Sequence, residues 1–549
     1  MLVGRGGWGV QGVEQTDRKL LDAAALVGHL VPEGGMFAFL AVHRGEVFPD
    51  EEFADLFPSG RGRPSLPAPV AAAVLTLQSL YDLSDAETAE AARCDLRWKV
   101  ATGMALDDRG FHPSTLTYWR QRLARSARPH RINQAVKRVV EETGIVAGRR
   151  RRVVDSTILA DAVATQDTVT QLVAAVRRVA REVPGAAAQI QAVCSGHDYS
   201  QPGKPTIDWD DPQARDALVS ALVRDANALV EALGDAELDE RAQGAVALLA
   251  LVAGQDVEPA EGSDGTDGRF RIARKVASDR VISTVDPDAR HTRKSPEQRR
   301  DGYRAHLAAE PETGIITDEA LTRAAGAANS DAAVAERFLA AEAARATPDP
   351  QHAADSDADS DARTLEWYGD SAYGTGDLRE AIATAGQVAV IKPKPLQAAV
   401  AGGFTVDDFT VDRQAGTVGC PGGHARPISA TGVATFGALC RTCPLRSRCT
   451  TSKTGRKIVV GDHDALLRQA RRDWAQDPRL RERYRRHRPN VERVISQLAS
   501  RGGRRLKLRY RGTVNNNAWL RRRTAALNLR NLIGRGLTHR DGTWALATT

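Results

Sequence analysis

Aromatic residues are scarce in this 549-residue chain, at 5%, and there are only six cysteines. So few cysteines in a long chain of intracellular type do not make a disulfide framework, and cross-linked stabilisation is excluded. No apolar run reaches membrane-spanning length. The longest, residues 245–253, reads as a core helix, so a transmembrane anchor is not expected. The opening residues, MLVGRGGWGVQGVEQTDR, lack a signal-peptide core, and a cytoplasmic location is expected. Lysine is under-used as well: Arg far outnumbers Lys while Ala is abundant, which suggests a GC-rich, bacterial coding sequence.

What is present is enough for three or four globular domains. The chain is 42% hydrophobic and 26% charged, with a net charge of +7 and a pI of about 9.2. That balance points to an anionic partner.

From about residue 15 to 130 the spacing predicts short helices. Residues 48–57 form a short amphipathic segment, and Gly60-Arg61-Gly62-Arg63-Pro64 is a basic turn. Pro69 suits the first turn of a helix over 70–83, and Ser84-Asp85-Ala86-Glu87 is a capping-box pattern opening the next. A third helix is expected over 95–102. Ser114 reads as the N-cap of a fourth over 115–124, carrying Arg120 and Arg122. Two readings stand. The helices form a helix-turn-helix-like DNA reader, or a plain helical bundle with a solvated basic face.

Residues 145–400 read differently. Val153-Val154-Asp155-Ser156-Thr157-Ile158-Leu159 is a strand with a carboxylate in its middle, costly to bury unless paired or metal-bound. Residues 160–257 have helical spacing and read as an insertion, and 258–267 as an acidic, glycine-rich loop. A hairpin (302–310 and 314–322) and a helix (330–344) follow. Next comes a low-complexity acidic linker, DSDADSD (355–361). The segment LEWYGDSAYGTG (365–376) reads as a strand that stops on Asp370 and turns into a helix over 377–385, before a buried strand at 388–391. Without the insertion the order is three strands, helix, strand, helix, strand. That is an α/β, ribonuclease H-like mixed sheet flanked by helices. Its first and fourth strands lie side by side, which would join Asp155 to Asp370.

Four cysteines cluster in residues 401–470: Cys420, then Cys440 and Cys443 in a C-x-x-C pair, then Cys449. Either they hold a structural zinc ion, or they are reduced cysteines in a loop-rich insertion. Cys94 and Cys194 stand alone and are expected in the core. Residues 477–500 read as one long helix, bent at Pro489. Between Arg479 and Arg511 there are thirteen Lys or Arg and two acids, Glu482 and Glu492. Arg501, Arg504, Arg505, Lys507, Arg509 and Arg511 form a basic tail of the density that binds nucleic acid. Glu492 is either an ordinary salt-bridge partner of Arg488 or a metal-ligand carboxylate in a phosphate-binding field. Residues 515–532 read as a final helix.

V-V-D-S-T, W-Y-G-D-S-A-Y-G and Y-R-R-H-R-P-N-V-E-R followed by R-Y-R-G resemble bacterial insertion-sequence transposases of the DDE type. G-R-P-S-L-P, F-H-P-S-T-L-T-Y-W-R-Q-R-L, D-P-D-A-R and G-Y-R-A-H extend the resemblance over about residues 37–532. The cysteine-rich insert resembles that of a subgroup. The resemblance implies four parts: an N-terminal DNA-binding domain (15–130), a catalytic core (145–400) with its insertion, the cysteine insertion (401–470) and a returning part of the core (471–535).

It makes Asp155, Asp370 and Glu492 the catalytic acids, with Arg488 and Tyr484 as their DNA-contacting neighbours. The Tyr is displaced by one position from the family signature. The signature Lys position holds Ala499, so Arg501 or Arg504 would take over its DNA contact. Three such carboxylates suit two Mg²⁺ or Mn²⁺ ions about 3.5–4 Å apart, which activate the nucleophile and stabilise the leaving 3′ oxygen. The implied partner is double-stranded DNA, both the element's inverted repeats and its target, bound by a homo-oligomer. A catalytically impaired descendant acting as a DNA-binding repressor is the alternative. No serine or tyrosine recombinase motif is needed for this chemistry.

Overall fold

The computed structural model describes residues 9–14, 21–58, 62–274, 277, 279–293, 299–346 and 364–547. The acidic linker at 355–361 and the Gly60-Arg61 part of the basic turn lie outside the described residues.

After a short strand, Gly9–Gly12, which pairs in parallel with Arg63–Pro67, and a five-residue helix, Ala23–Val27, the N-terminal part is helical: α1 (Met36–Val47), α2 (Ala68–Tyr81), α3 (Asp85–Cys94), α4 (Leu96–Thr102), α5 (Ser114–Arg125) and α6 (Arg131–Glu142). Pro69 sits in the first turn of α2, where its missing N–H costs nothing. Asp82 ends that helix in the left-handed conformation, at φ 51°. The capping box of α3 is made in full: Ser84 Oγ accepts from the Glu87 N–H, and Glu87 Oε2 from the Ser84 N–H at 2.7 Å. Two expectations need correction. Ser114 is the first helical residue of α5 and not its cap, because its hydroxyl pairs with His112. Cys94 is exposed and not a core residue, because it falls at the end of α3 where the chain turns.

A six-stranded mixed sheet follows, made of β1 (Arg151–Ala160), β2 (Arg290–Arg293), β3 (Arg299–Ala309), β4 (Ile316–Arg323), β5 (Glu366–Gly369) and β6 (Val388–Ile391). Its order is β6-β5-β1-β3-β2, with β4 also paired to β3. β5 runs parallel to both β6 and β1, while β1 runs antiparallel to β3. The fold is thus α/β with a mixed sheet. The sequence left out β2, a four-residue strand that shares the outer edge of β3 with β4.

Between β1 and β2 lie α7 (Thr168–Glu182), α8 (Ala186–Val193), α9 (Pro212–Ala232) and α10 (Glu240–Gln255). They bury a separate apolar cluster around Leu172, Val176, Leu222 and Leu249. The stretch read as an acidic loop is bracketed by a short hairpin, Val257–Pro259 with Phe270–Ile272.

The sheet is covered on both sides. On one face Val154, Ala308 and Trp367 pack against α11 (Asp331–Ala346) and α12 (Gly376–Thr384). On the other, Val153, Tyr368 and Val390 pack against Val491. The single helix expected over 477–500 is instead two, α13 (Pro478–His487) and α14 (Asn490–Ala499). Pro489 has no N–H to continue the ladder, so the chain breaks at Arg488–Pro489 and restarts toward the sheet.

The last long helix, α15 (Thr513–Ile533), is buried along most of its length. Its Arg523 donates to the carbonyls of Leu498, Gln497 and Ser500 at the end of α14, and to Ser79 and Leu80 at the end of α2. A cation is favourable at helix C-termini, and here one guanidinium serves two. Burial lowers its pKa to about 10, so it remains charged at neutral pH. A hairpin, β7 (Leu537–Arg540) and β8 (Thr543–Leu546), closes the described chain through an Asp541-Gly542 turn with both φ values positive.

Replacing Arg523 with Met strands several buried carbonyls. We expect a loss of roughly 2–4 kcal/mol in urea unfolding. Ser84→Ala, which removes one exposed cap, should cost only about 1 kcal/mol.

Candidate active site and nucleic-acid interface

The register of the parallel pair β1/β5 places the first two acids. Arg151 faces Glu366, Arg152 faces Trp367 and Val153 faces Tyr368. Asp155 and Asp370 each lie two residues beyond the last of these pairs, at matching positions on neighbouring strands. Alternation puts Asp155 on the Val153 face, the one α14 covers. Asp370 has just left β5. It caps the short 3-10 turn Ser371–Tyr373, accepting from the Ala372 N–H at 2.8 Å.

Arg488, at the break between α13 and α14, joins the acids. Its Nη2 lies 3.1 Å from Asp155 Oδ2 and 3.9 Å from Asp370 Oδ2, so those oxygens are no farther apart than the sum of the two distances. Its Nη1 lies 4.0 Å from Glu492 Oε1, in the first turn of α14. The structure therefore brings Asp155, Asp370 and Glu492 around one buried guanidinium. Glu492 is the most exposed of the three, at 75%, against 16% for Asp155. Burial pushes the Asp155 carboxyl up, the nearby Arg488 holds it down, and the Ser156 N–H donates to it. Arg488 Nε is buried and, among the described residues, has no hydrogen-bond partner.

The surroundings fix Arg488 from behind. His487 packs against Tyr368 with ring centroids 5.5 Å apart, and Tyr484 packs edge-on against Trp474 at 5.1 Å. Burial raises the Tyr484 pKa. The sequence missed a fourth carboxylate. Asp331 opens α11 and pairs with Arg304 at 3.1 Å. Its charge pushes Asp155 upward. His306 lies 3.5 Å from it and is held neutral by burial, its pKa lowered to about 3.

The basic tail is built as a strand-like stripe. Leu506 and Leu508 point inward while Arg505, Lys507 and Arg509 point out, and the Leu508 N–H donates to Ala160 at the end of β1. Arg501 and Arg504 sit on a two-residue hairpin, with Arg501 over the Tyr81 ring at 5.1 Å. Arg501, Gly502 and residues 504–509, with Asp82 and Ala162, line a groove of about 660 Å³. Arg509 leans on Asp82, and Arg511 is exposed. Arg120 and Arg122 behave differently. Arg120 is committed to Asp85 and Gln78, and Arg122 to the Leu56 carbonyl and the Phe57 ring. Their charges hold the helical domain together, while Arg485, Arg486 and Arg493 beside the acids are exposed.

Cys420, Cys440, Cys443 and Cys449 line one cavity of about 20 Å³. The Arg456 N–H donates to Cys440 Sγ at 3.4 Å, and a turn closes from the Cys420 N–H to the His424 carbonyl. A Cβ on Gly422 would meet Cys443 Sγ at 3.2 Å and Cys420 Sγ at 3.6 Å. The sulfurs face one gap, but no three of them lie within 4.8 Å of one another.

Residues 420–533 match the family model described as Transposase DDE domain, and residues 31–122 match the one described as Transposase domain (DUF772). Together these matches support an insertion-sequence transposase of the DDE type. A DDE domain implies an enzyme that cleaves and transfers DNA, generally with divalent metal ions. No curated protein and no solved structure matches the chain. Among the described residues no helix is long and apolar enough to cross a membrane.

The raised pKa of Asp155 has a signed consequence. A carboxyl whose folded pKa exceeds its unfolded value favours the fold only when protonated, and that contribution is lost as pH rises through the folded pKa. In metal-free protein Asp155→Asn should therefore melt higher than the parent at neutral pH. The difference should shrink as pH falls through the carboxylate range. Equal melting curves at pH 7 would contradict a strained, buried Asp155.

Proposed function

We propose that this protein binds the ends of a bacterial insertion sequence and cuts and joins DNA strands at Asp155, Asp370 and Glu492. The observation that carries this reading is the convergence of three carboxylates, from β1, the end of β5 and α14, on one guanidinium. The strand order β6-β5-β1-β3-β4, with α12 between β5 and β6, supports a ribonuclease H-like core. The helices between β1 and β2 and the cysteine segment are read as its insertions. Residues 471–535 bring the third acid back to it.

The hard oxygen donors of Asp155, Asp370 and Glu492 fit Mg²⁺ or Mn²⁺, and a cationic group already sits within 4.0 Å of each. Two such ions would activate the attacking oxygen and stabilise the leaving 3′ oxygen. The chain itself positions the phosphate. Arg485, Arg486 and Arg493 present exposed charge beside the acids, and the 501–511 stripe extends that field along a groove. Duplex DNA, the element's ends and its target, is the partner this charge suits, bound by a homo-oligomer. Cys420, Cys440, Cys443 and Cys449 would hold structural zinc once their sulfurs close on the gap they share.

One observation favours a repressor without catalysis. Ala499 stands where the family signature has Lys, and it is buried, so it offers DNA no charge. Cleavage separates the readings. Asp370→Ala should abolish Mg²⁺- or Mn²⁺-dependent nicking of element ends, yet leave their binding intact or slightly tighter. Parent protein that binds the ends but never cuts them would favour the repressor.

Replacing Arg504, Arg505 and Lys507 together should weaken binding to all sequences. It should also flatten the salt dependence by roughly 0.9 log units per lost phosphate contact. Gel-shift titrations at several salt concentrations read this directly.

A further inference from the structure

Apart from the acids and the cysteines, residues from early and late in the described chain meet in a group the transposase reading does not use. His43 and Glu46 are one turn apart on α1, and His539 lies on β7. One ring nitrogen from each histidine and one Glu46 oxygen all lie within 4.8 Å of one another. His43 Nδ1 is 4.0 Å from Glu46 Oε2 and buried. Among the described residues it has no hydrogen-bond partner. A buried ring nitrogen without a partner is unusual in a well-packed protein and calls for an explanation.

The packing around the group is firm. Trp544, buried and paired with His539 across the β7/β8 hairpin, packs at a tilt against the His539 ring at 4.5 Å and meets the His43 ring edge-on at 5.7 Å. Phe39 backs both Trp544 and His43. The Trp544 backbone N–H donates to Glu142 on α6. These contacts hold the two imidazoles side by side, and they leave Glu46 exposed at the mouth.

The geometry points to a second metal site, separate from the acids and the cysteines, in which His43, Glu46 and His539 bind a divalent ion of the zinc class. Imidazole and carboxylate donors suit zinc, copper, nickel and iron better than magnesium. Metal–ligand bonds of about 2.0–2.1 Å put tetrahedral ligand atoms roughly 3.4 Å apart, so a small inward turn of the three side chains closes the site. Three protein ligands leave a fourth position for water on the Glu46 side. The ion satisfies the lone pair of His43 Nδ1. It also fastens the C-terminal hairpin to α1, so that the site acts as a clasp between chain ends.

The test begins with metal-stripped full-length protein dialysed against Zn²⁺ and counted by elemental analysis. His43→Ala, Glu46→Gln and His539→Ala should each hold one equivalent fewer than the parent. Co²⁺ substitution separates this site from the cysteines, because the equivalent lost in these variants should carry no thiolate-to-cobalt absorption. Hydrogen exchange gives a second readout: Zn²⁺ should slow exchange across residues 537–546 in the parent but not in His43→Ala. Glu46 is exposed, so Glu46→Gln tests the site without disturbing the core. Equal metal content in the parent and all three variants, or loss only of the thiolate-bound equivalent, would overturn the proposal.

Discussion

One buried guanidinium sets the terms for this molecule. Arg488 sits where three carboxylates from distant parts of the chain would otherwise repel one another, and it neutralises part of that charge. Burying carboxylates without a counter-charge is expensive. The break at Pro489 aims Arg488 at the acids and restarts the chain as α14, whose Val491 lands on the sheet.

That arrangement rests on strand register. Asp155 and Asp370 are neighbours because β1 and β5 pair in parallel with Val153 opposite Tyr368. A slip of one residue would turn Asp155 to the other face, toward α11 and α12. The apolar residues beside each acid, Val153 and Val154 on β1 and Trp367 and Tyr368 on β5, pack on both faces and hold the register. The packing of the sheet and the geometry of the acids therefore have one cause.

Much of this was legible in the sequence because the signals were local. Asp155 in a β-branched run, Asp370 at a strand end, and the capping box at Ser84 each announce themselves within a few residues. The failures have equally physical reasons. α1 was missed because its apolar residues show little helical periodicity against a buried background. β2 is a four-residue strand with no alternation to read. Arg120 and Arg122 read as belonging to a DNA reader or to a solvated basic face, yet Arg120 is tied to Asp85 and Gln78, 35 and 42 residues earlier in the chain, which no local pattern shows. The roles of Asp331 and His306 depend on the packing of α11 against β3, and the pairing of His43 with His539 depends on the meeting of the chain ends.

Arg523 carries a consequence for the order in which the protein is made. It joins α2, near the start of the chain, to α14 and α15, near its end. α2 is buried along nearly its whole length, and part of what buries it is translated more than four hundred residues later. While the ribosome works through the intervening chain, the helical domain carries an uncovered apolar side. α15, made long after α2, is among the helices that cover it. A nascent chain stopped before α15 leaves that apolar side uncovered, so burial of α2 is tied to synthesis of residues 513–533.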